Sequence, residues 1–137
     1  MEDLQHHVLN EVNVHFTIIG VTETRIREGD SVNLNLMPQL AGYRFEFVPT
    51  TLAAGGVGLF IDVNVKYRVV ERVTNSSYQA LWFEFQQSND KKNMCGIVYR
   101  QHNDANEFLD YLSESLERFN WHNHNIYLMG EDRKSVV

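Results

Sequence analysis

Short runs of β-branched and aromatic residues, separated by Gly, Pro and polar turns, set the hydrophobic pattern of this chain. Residues Phe16 to Val21 form an apolar run that predicts a strand buried on both faces. Before it, Leu4, Val8, Leu9 and Val12 make a helical stripe over residues 2–13. After it, residues 27–39 are polar and irregular, with Gly29-Asp30 and Pro38. Gly42 to Val48 alternates aromatic and charged positions, the signature of a half-buried strand closed by Pro49. Ala53 to Gly56 predicts a flexible bend into a buried strand, Val57 to Ile61. Tyr67 to Val70 is the next strand, and the link over 62–66 fits either a hairpin or a bulged continuation.

The second half is more regular. Asn75-Ser76-Ser77 predicts a turn, and Tyr78 to Phe85 a strand with Leu81, Phe83 and Phe85 on one face. Residues 86–93 read as a polar hairpin loop leading into a buried strand, Met94 to Tyr99. Asp104 and Glu107 have the spacing of a capping box, so a helix should start near Ala105. Phe108, Tyr111, Leu112, Leu116 and Phe119 form its apolar face, and Ile126 to Gly130 is the last strand. The order is helix, strand, several antiparallel strands, helix, strand: an α/β (α+β) chain.

Composition narrows the class. The chain has 137 residues, 43% of them hydrophobic and 22% charged, in keeping with one globular domain. No apolar run reaches the length of a membrane span, and the start, Met1-Glu2-Asp3, is acidic rather than basic. An intracellular location, nuclear or cytoplasmic and not secreted, is the expectation. The single cysteine, Cys95, sits in a strand and reads as a small core residue. A net charge of -6 argues against non-specific affinity for nucleic acid but leaves a metal-dependent nuclease open.

The candidate chemistry gathers at strand ends. Thr22-Glu23-Thr24-Arg25 places a carboxylate at the C-terminal mouth of the first strand, where α/β proteins build sites. Pairing of Glu23 with Arg25 is the plain structural alternative. His6-His7, His122 and His124 read as solvated surface residues. A second mouth carries Tyr99 to Asn103, and a third carries Gly130 and the residues after it.

These segments resemble the endonuclease/exonuclease/phosphatase superfamily, and within it the apurinic-like endonuclease domain of non-LTR retrotransposons. The matching pieces are Ile19 to Arg25, Gly42-Tyr43-Arg44, Gly55 to Phe60, Gly96 to Arg100 with Asn103, Phe108-Leu109, and Ile126 to Gly130. The resemblance implies a partial four-layer α/β sandwich of the DNase I-like type over residues 1–130, with 131–137 as an unmatched tail. It implies hydrolysis of phosphodiester bonds in DNA with one divalent metal, Mg²⁺, held by Glu23. A hard cation takes oxygen ligands and keeps several waters, so a rigid strand-end carboxylate suits it. The resemblance also implies that Tyr99 donates its phenol to the phosphate and that Asn103 joins it in the site. Arg25 and Arg100 are candidate contacts to the DNA backbone, with solvated surface charge as the alternative. Tyr43 and the Gly55-Gly56 pair read as structural.

The departures are chemical. The family closes this half with Gly-Asp-x-Asn, whereas Gly130 is succeeded here by Glu131-Asp132-Arg133. Glu131 stands at the catalytic Asp position, one methylene longer, and Arg133 cannot accept a hydrogen bond as Asn does. Gln101-His102 replaces prolines of the retroelement pattern. The resemblance further implies that the family's opening strand precedes residue 1 and that its second half, with a Ser-Asp-His close, lies beyond residue 137. Water attack then lacks its positioned base, so no nicking activity is expected of this chain alone. A non-catalytic DNA-binding or structural remnant is the alternative, and a small-phosphoester phosphatase of the same superfamily fits less well. With the second half absent, the face built from Leu81, Phe83 and Phe85 is expected to lack a cover, which favours poor solubility or self-association. A monodisperse monomer in light scattering that unfolds cooperatively would contradict that expectation.

Overall fold

Among the described residues of the computed structural model, two sheets pack face to face, with a helix on the outer side of one of them. The structure describes residues 17–27, 29, 38–51, 54–86, 92–100, 105–121 and 125–132. The predicted helix over 2–13, with His6 and His7, lies outside the described residues, as do Asp104, His122 and His124. Strands β1 (Ile18–Thr22), β2 (Tyr43–Val48) and β3 (Val57–Asp62) form the first sheet in the order β1-β3-β2, antiparallel throughout. Strands β4 (Tyr67–Thr74), β5 (Tyr78–Gln86), β6 (Lys92–Arg100) and β7 (Asn125–Asp132) form the second in sequential order. Helix α1 (Ala105–Trp121) begins where the capping spacing predicts and connects β6 to β7, which pair in parallel. Parallel neighbours need such a crossover.

The alternation of β5 shows why the layers form. Leu81, Phe83 and Phe85 point between the sheets and meet Val48, Val57, Leu59 and Ile61 of the first sheet, with Cys95, Ile97 and Tyr99 beside them. Ala80 and Trp82 point the other way, against Phe108 and Phe119 of α1, with Tyr111, Leu112 and Leu116 packed around. Burying a side chain of this size contributes about 1.5–3 kcal/mol. Both faces of β5 and β6 are therefore buried, as their near-continuous apolar runs require.

Several expectations are corrected. The face of Leu81, Phe83 and Phe85 is covered by the first sheet, so it provides no ground for self-association. Among the described residues strand β1 lies at the edge of its sheet, only half-buried, because β3 takes the central place between β1 and β2. The link over 62–66 makes neither a hairpin nor a continued strand: it carries the chain from one sheet to the other. Asp62 organises it, its carboxylate accepting from the Asn64 N–H at 2.8 Å and its carbonyl from the Val65 N–H at 2.9 Å. A bulge does occur, but within β4, between Val69 and Glu71. It shifts the alternation so that Glu71 faces α1 and accepts from the Tyr111 hydroxyl at 2.6 Å. That hydroxyl in turn accepts from Trp82 Nε1 at 3.0 Å. At the β2–β4 edge, Glu46 takes hydrogen bonds from Tyr67 at 2.7 Å and Arg72 at 2.5 Å. Burial, with the Glu46 carboxylate beside it, pushes the Tyr67 phenol up to about 12. At the opposite edge, Tyr127 and Leu128 of β7 are exposed.

Cys95 is a core residue, and burial pushes its thiol up to about 12. It is therefore expected to resist a thiol reagent in the native protein and to react fully in denaturant. Gly96 lies under the Trp82 ring, which a Cβ there would overlap. Gly96→Ala should cost about 1–3 kcal/mol or more, read as a lowered urea midpoint at unchanged slope.

Candidate functional site

The polar end of the inter-sheet core is where Glu23 and Tyr99 meet. At this end β1 stops before Glu23, β3 begins after Gly55-Gly56, β5 begins with Tyr78-Gln79, and β6 and β7 finish. The parallel β6–α1–β7 unit presents its strand C-termini here, the position where loops over a sheet form sites.

Backbone geometry sets the direction of Glu23. Glu23 and Arg25 both adopt left-handed conformations, with φ of 57° and 58°. Non-glycine residues pay about 1–2 kcal/mol each for this, so the surrounding structure must hold them. Two hydrogen bonds do so: the Arg25 N–H donates to the Gly55 carbonyl at 2.9 Å, and the Thr24 N–H to the Gly56 carbonyl at 3.4 Å. Farther along, buried Ile26 anchors the loop, its carbonyl accepting from the Thr50 N–H at 2.8 Å. The predicted flexible bend at Ala53 to Gly56 is a correction in turn. Gly55 and Gly56 are buried, at φ of 95° and 91°, and serve as the acceptors that keep the Glu23 loop in place.

The side chains then converge. Tyr99, fully buried near the end of β6, donates its hydroxyl across the sandwich to Glu23 Oε1. The other oxygen, Oε2, accepts from Arg25 Nη2 at 3.3 Å. So Glu23 has the local partner expected for it, Arg25, and a distant one, Tyr99. The Arg25 pair is exposed on the arginine side, at 66%, and is worth about 1 kcal/mol at most. The Tyr99 contact is the one that orients the carboxylate, because a charge-assisted bond from a buried, fixed donor is strong and directional. Glu23 itself keeps 31% of its side chain exposed.

The remaining candidates divide. The Glu131 backbone lies in register beside Tyr99 in the β6–β7 pair, while its side chain is not among the described ones. Strand β7 runs on through Asp132, two residues into the stretch expected to be an unmatched tail. Asn103 and Arg133 lie outside the described residues. Arg100 is corrected: it is 8% exposed and alternates away from Tyr99, so it is no solvated contact to a DNA backbone. Among the described residues no group of three or more His, Cys, Asp or Glu could form a metal cage. Glu23 offers a single carboxylate, so a hard cation held there would take its remaining positions from water or substrate oxygens.

Sequence reasoning missed one residue, Gln79. It is wholly buried, pairs in register with Tyr99, and accepts from the Gly56 N–H at 3.2 Å. The signal was present. Gln79 shares the inward period of Leu81, Phe83 and Phe85, and a buried amide on an apolar face must find partners.

No family model matches the chain, and no curated protein matches it by sequence. Among solved structures, the human Nocturnin catalytic domain with bound sulfate anion is similar, with a TM-score of 0.59 at 13% identity. The match covers 95% of this chain and 56% of that one, so the chain spans little more than half the neighbour's length. Likeness at this identity shows the fold alone, which is of the α/β, DNase I-like type.

Gly56 combines a left-handed φ with a tight fit, since a Cβ there would lie 2.5 Å from Thr24 Oγ1. Gly56→Ala is expected to destabilise the protein by about 1–3 kcal/mol and to move the Glu23 backbone resonances in an NMR spectrum.

Proposed function

We propose that this chain is part of a divalent-metal-dependent phosphoester hydrolase of the retroelement endonuclease type, acting on DNA phosphodiester bonds. The observation that carries the reading is the Tyr99 hydroxyl donating to Glu23 across the two sheets. A carboxylate needed only for a surface ion pair with Arg25 has no use for a buried phenol drawn from 76 residues away. The fold shared with the Nocturnin catalytic domain agrees with a hydrolytic domain.

Chemistry assigns each residue its part. Glu23 would hold the cation, its left-handed backbone and Tyr99 together fixing the carboxylate so that little rotamer freedom is lost on binding. A bound Mg²⁺ would supply charge stabilisation for the phosphoryl oxygens and the leaving group. Tyr99 orients Glu23, and by the resemblance its phenol would share its proton with a phosphate oxygen when substrate binds. By the resemblance Asn103 and Glu131 would join the site, and Glu131 stands where the family has the Asp that orients the attacking water, one methylene longer than geometry held to about half an ångström allows for. In this reading Glu23 holds the metal, while the departure from the family's Asp at Glu131 weakens the orientation of the attacking water, so no turnover is expected of this chain alone.

Two measurements test this. Titration with Mn²⁺, used as a paramagnetic substitute for Mg²⁺, should show one weak site that Glu23→Gln abolishes. Tyr99→Phe should weaken it about 10–100-fold, the usual effect of removing a partner that orients a metal ligand. In a magnesium-dependent plasmid assay no nicking by this chain is expected. Nicking that Glu23→Ala abolishes would overturn the inactivity, and Mn²⁺ binding indifferent to Glu23 would overturn the metal assignment.

A further inference from the structure

We propose that Gln79 is a positioning residue for the Glu23 site, clamping the Gly55-Gly56 turn to the second sheet so that Glu23 is held opposite Tyr99. The inference rests on the reading of Glu23 as the functional carboxylate, but its geometric content can be tested separately.

Gln79 is fully buried, and its amide has one acceptor and one donor end that the surroundings distinguish. Its Oε1 accepts from the Gly56 N–H at 3.2 Å, and its Nε2 donates to the Asn75 carbonyl at 3.0 Å. A backbone N–H can only donate and a carbonyl can only accept, so the amide has a single orientation that satisfies both. Asn75 is itself held: its side-chain oxygen accepts from the Ser77 and Tyr78 N–H groups at 2.8 and 2.9 Å. One side of the clamp is thus a rigid turn between β4 and β5.

The other side is the loop that carries the carboxylate. Gly56 donates its N–H to Gln79 Oε1 and accepts the Thr24 N–H at its carbonyl, and the neighbouring Gly55 carbonyl accepts the Arg25 N–H. These bonds fall on the two residues after Glu23, one of which shares its left-handed backbone. Gln79 and Tyr99 are paired across β5 and β6 and face the same way. They reach the first sheet side by side, Tyr99 to the Glu23 carboxylate and Gln79 to the turn under its backbone. One fixes the side chain, and the other fixes the main chain that aims it.

Gln79→Leu removes both polar ends at nearly the same volume. In the folded variant, amide hydrogen exchange at Thr24 and Arg25 should accelerate at least tenfold, while amides in the centre of β3 keep their protection. The Tyr99 ring resonances should shift, and Mn²⁺ affinity should fall about tenfold. In a Glu23→Gln background the Gln79→Leu change should have no further effect on Mn²⁺. Gln79→Glu retains an acceptor for the Gly56 N–H and should restore most of the protection at Arg25. If Gln79→Leu does not fold, Gln79→Met makes the same test with a more adaptable side chain. Unchanged exchange at Arg25 and an unchanged Tyr99 ring in the folded variant would overturn the proposal. Faster exchange with an unaltered Mn²⁺ site would support the clamp and overturn only the assignment of metal to Glu23.

Discussion

The packing of one sheet's inner face on the other is the constraint on which the rest depends. Along most of the interface the contact is apolar, Val57, Leu59 and Ile61 against Leu81, Phe83 and Ile97. At one end the same alternation delivers Gln79 and Tyr99 in place of aliphatic residues, and these must satisfy their polar atoms across the gap. Their partners are the turn and the loop that open and close the strands of the first sheet. The candidate site is thus the point where the core changes from hydrophobic contact to directed hydrogen bonds. Its precision is inherited from the sheets, which cannot slide without breaking both.

The helical layer contributes stiffness. Helix α1 covers Trp82 and Val98, and Tyr111 ties it to both β5 and β4 through Trp82 and Glu71. Burial and the Glu71 carboxylate push the Tyr111 phenol upward, so it stays a proton donor throughout the physiological range. Held from behind in this way, β5 and β6 can carry two long polar side chains at their ends without losing register. Strain is confined to the loop: the left-handed residues Glu23 and Arg25 sit beyond β1, braced by two buried glycines. Local strain over-determined by its surroundings is a common property of sites that must not reorganise when a ligand arrives.

Much of this was legible in the residues themselves. Period-two alternation and turn signals located the strands from Gly42 onward, and capping spacing located the start of α1, because those features arise from local backbone and side-chain geometry. Glu23 stood out as a charge at the end of an apolar run, and Tyr99 through the resemblance. Neither signal could show that the two touch, since the bond joins positions in different sheets. Gln79 passed as an ordinary strand residue, although its inward phase marked it as buried.

What the chain alone determined, then, is which residues are strand, helix or turn, and which faces are apolar. Those features arise from interactions within a few residues. Only the tertiary structure decided that β3 rather than β1 is central, that Leu81, Phe83 and Phe85 are covered, and that Arg100 is buried. It alone also brought Glu23, Tyr99 and the Gly55-Gly56 turn into contact. The physical reason is that strand order and sheet pairing are set by the total burial of the whole chain, a quantity no local pattern contains.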